Sequence, residues 1–256
     1  MSSPLPRTPS FRLDGRRALI TGAGRGIGLA LASALGEAGA GVTLVARSGD
    51  QIEAAADALR QAGASAEAAI LDVSDLGAVE RFFADRDAFD VLVNNAGTNR
   101  PKPMQEVSEA DYDAVLGLNL KSAFFVAQAC VKKMLADGIS GSLIHIGSQM
   151  GHVGGRNRSL YCASKWAIEG MNKAFALDLA PFKIRSNVIA PTFIETPLTR
   201  PFFEDETFKA SVLEKIKLGR LGTVEDLMGA ALFLASDTAA MITGTSLLVD
   251  GGWTAD

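Results

Sequence analysis

The stretch SLYCASKWAIEG, residues 159–170, sets a tyrosine and a lysine four positions apart among small and apolar residues. On a helix, Tyr161 and Lys165 share one face. A free phenol has a pKa near 10, and moving it to about 7 takes roughly 4 kcal/mol. An ammonium at about 4 Å supplies about 4 kcal/mol at an effective dielectric near 20. The spacing therefore predicts that Lys165 makes Tyr161 a usable acid–base group at neutral pH. Ser148 lies thirteen residues before the tyrosine, at the end of an apolar run. Its hydroxyl suits donation to an oxygen on which charge develops.

A second group of residues suits a phosphate. In TGAGRGIG (21–28), Gly22, Gly26 and Gly28 stand where an apolar run gives way to a helical pattern. Glycines there permit positive φ and a close approach of the backbone to a pyrophosphate, and the helix N-terminus offers free N–H groups. A glycine-rich string alone also serves tight turns, but this placement points to a dinucleotide. In such folds an acid about 20 residues further on, closing the second strand, binds the ribose hydroxyls of NAD. Here Ala46 holds that place, Arg47 follows, and Arg25 sits within the glycine turn. Two guanidinium groups suit a 2′-phosphate, so NADP(H) is the expected cofactor, with NAD(H) as the other possibility.

The elements that must position these residues alternate. Strand-like runs are expected at 17–21, 42–46, 68–72, 90–97, 142–148, 185–191 and 246–252. Between them lie helical patterns: one carries Ile27, Ala30, Leu31, Ala34, Leu35 and Ala38 and is closed by Gly39 and Gly41. Others cover 50–62, a stretch capped by Ser74 and running to Arg86, 109–136, the segment opening at 159, and 224–235. The strands are apolar runs rather than alternations, as burial on both faces requires. The expectation is a single-domain, doubly wound α/β fold of the Rossmann type, with about seven parallel strands and helices on both faces. Residues 1–12 read as a loose arm, 13–256 as the domain, and 197–218 as an inserted helical flap over the substrate, its phenylalanines needing something to pack against.

The chain has 256 residues, 21% of them charged, a net charge of −4 and a mean hydropathy of +0.18. It shows no basic run of the kind that binds nucleic acid or an anionic membrane. No apolar run reads as long enough to cross a bilayer, and the N-terminus lacks the pattern of a signal peptide. Two cysteines imply no disulfide framework, and with two histidines at no ligand spacing no metal is expected. The cytoplasm is the default compartment.

Taken together, the glycine turn, NNAG (94–97), Asn119, Ser148 and YCASK (161–165) resemble the classical branch of the short-chain dehydrogenase/reductase family, over about residues 17–253. The resemblance implies an NAD(P)-dependent oxidoreductase that moves a hydride between the nicotinamide and a carbonyl or secondary alcohol. It implies catalytic roles for Asn119, Ser148, Tyr161 and Lys165: Lys165 also binds the nicotinamide ribose, and Asn119 holds a water in a proton path from Lys165. Cofactor contacts are implied at Gly22, Arg25, Gly26, Ile27, Gly28, Arg47, Asp72, Val73, Asn95, Ala96, Gly97, Tyr161 and Lys165. Pro191, Ile194 and Thr196 would cover the nicotinamide, although Thr192 replaces the glycine usual after the proline. The family resemblance also implies a homotetramer, with a dimer next.

The expected substrate rim is polar: Asn99, Arg100, Gln149, His152, Arg156, Asn157 and Arg158. It suits a sugar, polyol or hydroxy or keto acid, and Arg156 or Arg158 could meet a carboxylate or phosphate. A 3-oxoacyl-[acyl-carrier-protein] reductase is the alternative within the family. A catalytically silent dinucleotide-binding sensor or scaffold is the alternative outside enzymology. His145 reads as a hydrogen-bonded core histidine, and Cys162 as a buried small apolar residue rather than a nucleophile.

Overall fold

The computed structural model describes residues 5–197 and 199–255. Seven strands form one parallel sheet in the order β3-β2-β1-β4-β5-β6-β7. They are β1 (Arg17–Thr21), β2 (Gly41–Ala46), β3 (Ala66–Ile70), β4 (Val91–Asn94), β5 (Ser142–Ile146), β6 (Arg185–Pro191) and β7 (Ser246–Val249). The chain winds outward from β1 to β3, then returns to lay β4 on the other side of β1. That reversal between β1 and β4 opens a crevice at the strands' carboxyl ends, where this class of fold binds ligands.

Helices cover both faces because both faces of the strands are apolar. Ala18 and Ile20 point into one core, with α1 (Gly26–Glu37), α2 (Gly49–Gln61) and α8 (Glu225–Ala235). Leu19, between them, points into the other, with α3 (Leu76–Ala84), α5 (Ala123–Ala136) and α6 (Ser159–Leu179). Burying a strand on two sides requires this kind of continuous apolar run.

Several boundaries differ from the sequence reading; β4, β5 and β7 end two to three residues earlier than expected. Strand β3 begins and ends two residues earlier than expected. Helix α3 is capped by Asp75, whose carboxylate accepts from Ala78 N at 3.0 Å, while Ser74 instead donates to Asp72 at 2.6 Å. The helical region 109–136 is α4 (Glu109–Leu116), a π-helical turn over Gly117–Ser122, and α5. This region, with a mean hydropathy of 1.5 in its most apolar window, is by length and composition long enough to cross a bilayer. That corrects the expectation of no such run. Here Val126, Ala127, Cys130 and Met134 of α5 pack against the sheet.

The stretch 197–218 holds a 3-10 turn over Arg200–Glu204 and α7 (Glu206–Leu213), which Asp205 caps. Its phenylalanines do find partners. Phe203 and Phe208 join Phe193 in edge-on contacts of 5.9 and 5.7 Å, and Trp253 lies 5.7 Å from Phe193. This small cluster, with Val212, Ile216 and Leu221, stands apart from the two main cores. Leu198, expected within the flap, lies outside the described residues, as do residues 1–4 and Asp256.

Candidate active site

The glycine turn follows β1 and opens α1. Gly22 and Gly26 have φ of +65° and +58°, a region costly for any side chain. Gly28 is required by crowding: a Cβ there would lie 2.5 Å from Gly22 O and 2.6 Å from Asn95 Nδ2. The neighbouring strand end is locked to this turn. Thr21 Oγ1 accepts from the backbone N–H groups of Asn95 and Ala96, both at 3.0 Å. Asn95 Nδ2 donates to Thr21 O at 2.9 Å and Gly22 O at 3.2 Å. Thr21 was not singled out in the sequence, though its place as the last residue of β1 makes it a natural anchor.

These residues fit a dinucleotide. The backbone is held open at a helix N-terminus, and a Cβ at Gly28 would fill the cradle. Ile27 and Ala96 are half-buried beside the turn, and Val73 is buried. Gly97 approaches Asn119 so closely that a Cβ would lie 3.2 Å from its Oδ1. Thr196 reaches the turn from the far side: a Cβ on Gly26 would lie 3.5 Å from its Cγ2. Ile194 is buried and bridges to Gly222, and Pro191 closes β6. Thr192 donates its N–H to Val249 O at 3.2 Å, while its hydroxyl oxygen is buried without a partner.

Arg25 and Arg47 are both exposed. Asp72 accepts from Ser74 N and Oγ, which hold its carboxyl below the usual range, with the charge of Arg47 adding to the effect.

Ser148, Tyr161 and Lys165 converge at the carboxyl end of β5. Ser148 is buried; its Oγ donates to Gln149 Oε1 at 2.7 Å and accepts from Met150 N at 3.1 Å. Lys165 is buried and donates from Nζ to Ile146 O at 2.7 Å, with Nζ 5.5 Å from the Tyr161 ring centroid. Burial pulls its ammonium down to about 8, so it remains a cation at neutral pH. Burial pushes the Tyr161 phenol up, opposed by the Ser148 hydroxyl and by the charge of Arg158. This corrects the simple electrostatic expectation. Lys165 is drawn onto a strand carbonyl, and the cation that opposes the rise is Arg158. The phenol is thus held as a proton donor.

Asn119 sits on the π-helical turn, an insertion common at functional sites. Its Oδ1 accepts from Thr98 N at 2.7 Å, and its Nδ2 donates to Thr98 O at 2.9 Å and Ser164 Oγ at 3.1 Å. It therefore clamps the loop after β4 to the helix turn that carries Lys165.

The expected substrate rim is only partly assembled. Gln149 is buried and turned onto Ser148. Arg100 pairs with Asp111, as does Lys102 at 2.6 Å. His152 Nε2 lies 3.2 Å from Glu169 Oε1 and 3.1 Å from Ser246 Oγ, which ties it to α6 and β7. Glu169 was missed in the sequence, although it continues the Tyr161–Lys165 spacing by four. Arg156 is exposed, whereas Arg158 is buried. His145 is in the core, but among the described residues neither ring nitrogen has a hydrogen-bond partner, contrary to the sequence reading. Cys162 is half-buried rather than fully buried.

A dinucleotide cradle beside a serine, tyrosine and lysine at the ends of a doubly wound sheet defines an oxidoreductase. A family profile described as Enoyl-(Acyl carrier protein) reductase matches residues 22–254. L-xylulose reductase of Bos taurus is 37% identical over 245 residues, 96% of this chain and 99% of its own. Gluconate 5-dehydrogenase of Gluconobacter oxydans (strain 621H) is 36% identical over 251 residues, 95% of this chain and 96% of its own. A crystal structure of gluconate 5-dehydrogenase from Burkholderia cenocepacia J2315, in complex with NADP and tartrate, superposes with a TM-score of 0.91 at 39% identity. The superposition covers 96% of this chain and 98% of that one. The chain belongs to the short-chain dehydrogenase/reductase family.

Proposed function

We propose that the protein is an NADP(H)-preferring oxidoreductase that interconverts a carbonyl and a secondary alcohol on a small polyhydroxy substrate. The observation that carries this reading is the convergence of Ser148, Tyr161 and Lys165 beside the glycine turn. The activities of relatives on xylulose and gluconate support the substrate class. NADP in a related structure and the exposed Arg25 and Arg47 support the cofactor preference.

When bound, the nicotinamide supplies a hydride to the carbonyl carbon, or accepts one from the alcohol. Gly22, Gly26 and Gly28 would hold the pyrophosphate at the start of α1, and Arg47 and Arg25 would meet the 2′-phosphate. Asp72, Val73, Asn95, Ala96 and Gly97 border the cleft, and Pro191, Ile194 and Thr196 cover it. Ser148 donates a hydrogen bond to the substrate oxygen, and Tyr161 delivers its proton there. Arg158 opposes the charge left on the phenolate, Lys165 stands with Nζ 5.5 Å from the same ring, and Asn119 fixes the turn on which Lys165 is mounted.

We read residues 13–256 as one domain, preceded by the arm 1–12, with 197–218 as its flap. We assign it to the cytoplasm on its pair of free cysteines and its composition. Exposed Phe124 and Phe125 on α5, Trp166 and Leu177 on α6, and Leu248 on β7 support a homotetramer.

The test is NADPH oxidation by pure protein over a panel of ketoses, keto acids and an acetoacetyl thioester, with NADH in parallel. Turnover of the polyhydroxy carbonyls with NADPH is expected. Turnover of the thioester alone would move the protein to the acyl-carrier reading, and silence on every carbonyl would leave a nucleotide-binding sensor.

A further inference from the structure

Arg158 is 9% exposed, and among the described residues no carboxylate pairs with it. Among the described residues its guanidinium makes one hydrogen bond, a long 3.5 Å contact from Nη1 to the neighbouring Asn157 O. The guanidinium carries five N–H donors, so most have no partner among the described residues. So enclosed a cation has lost much of its hydration, which favours an anion that can pair with it. Burial holds this arginine below its ordinary pKa, with Tyr161 and Cys162 as its neighbours.

The mount is rigid. Asn157 takes the left-handed conformation, φ +58°, and its carbonyl accepts from Lys102 N at 3.1 Å. Arg158 N donates to Gly155 O at 3.2 Å, and Arg158 O accepts from Cys162 N at 2.7 Å. The residue stands at the N-terminus of the 21-residue α6, three positions before Tyr161, where the helix adds its own attraction for an anion. From the other side Phe202 of the flap covers it, with the ring centroid 5.7 Å from Cζ.

We propose that Arg158 is the receptor for a substrate carboxylate, and that the protein acts on sugar acids (hydroxy or keto acids) rather than on neutral ketoses and polyols. One planar fork matches one carboxylate. The acid end binds under Phe202 while the reacting oxygen meets Ser148 and Tyr161. This rests on the oxidoreductase reading above and selects between the two kinds of substrate that its relatives' names contain.

The experiment compares kcat/KM for 5-ketogluconate and L-xylulose with NADPH, in the wild type, Arg158→Gln and Arg158→Lys. The wild type should favour the acid. Losing a charge-assisted bidentate contact should lower the acid-over-neutral ratio about thirtyfold or more in Arg158→Gln, with partial recovery in Arg158→Lys. Tartrate should also inhibit the wild type more strongly than threitol, its neutral counterpart, and lose that advantage in Arg158→Gln. NADPH titration of each variant reports whether the cofactor cleft survives. A wild type that prefers the neutral ketose overturns the proposal, as does a variant in which both substrates fall together. Silence of the wild type on both substrates would instead remove the oxidoreductase reading, and this inference with it.

Discussion

The two ends of the cleft hold arginine in opposite settings. At the nucleotide end Arg25 and Arg47 are exposed, where water solvates the charge whether or not a phosphate is present. At the substrate end Arg158 is 9% exposed, with the Phe202 ring centroid 5.7 Å from Cζ, and no carboxylate among the described residues pairs with it. An exposed cation attracts ligand weakly and is screened by salt. A buried one is hardly screened, and it discriminates strongly because leaving it unpaired is costly. The nucleotide end can thus accept either cofactor with a bias, while the substrate end should tell an acid from a neutral sugar sharply.

The strongest way to separate the two ends is Tyr161→Phe. Removing the proton donor should lower kcat/KM by about 10²–10⁴-fold. NADPH affinity, measured by fluorescence titration, should stay within about twofold, since the glycine cradle is built by Thr21, Asn95 and Gly28. Loss of both together would show that the ends are one cooperative unit, and the comparison would fail.

The sequence made the nucleotide end legible and the substrate end much less so. Strand β1 and the glycine turn follow from local rules: an apolar run, then glycines, then a 3.6-residue period. The sheet order follows from alternation, and Ser148, Tyr161 and Lys165 do meet. What stayed hidden depended on three-dimensional partners. Nothing in the spacing says that Lys165 will bond Ile146 O, that Gln149 will turn onto Ser148, or that Arg100 will go to Asp111. Arg156 and Arg158 are alike in sequence, yet one is a surface charge and the other is enclosed, with Phe202 over its guanidinium. Ser74 and Asp75 both make good caps, and the competing carboxylate of Asp72 decided between them.

His145 tests whether the buried character of the catalytic end extends into the sheet. Burial, with the charge of Lys165, pushes its imidazole down to about 4. Phe175 packs against it with ring centroids 6.0 Å apart. The unfolded chain binds a proton near pH 6.5 that the folded chain refuses until about pH 4. Stability should therefore fall as pH drops through that window, by about 2–3 kcal/mol between pH 7 and 4.5 from this group. His145→Val removes both orphan nitrogens and puts a β-branched apolar residue, suited to a strand, in their place. Urea midpoints at the two pH values should differ by that much less in the variant. An unchanged acid sensitivity would place the responsible protons elsewhere.

Arg47→Ala has the smallest expected effect and bears most directly on the comparison. The guanidinium is exposed, and the charge it faces within the chain is Asp72, whose carboxylate it holds down only after Ser74 does. Its contact with a 2′-phosphate is thus made in high dielectric, worth about 1 kcal/mol, or roughly fivefold in KM for NADPH. NADH lacks that phosphate, so its KM should hardly move. Raising the salt should shrink the NADPH effect, because the Debye length falls to about 3 Å at 1 M. The acid-over-neutral ratio controlled by Arg158 should survive the same salt, since its charge lies under an aromatic ring rather than in water. If Arg47→Ala weakens NADPH and NADH alike, the residue shapes the turn rather than reading the phosphate. Cofactor bias would then rest on Arg25 and on the apolar Ala46, where no carboxylate stands to repel the phosphate.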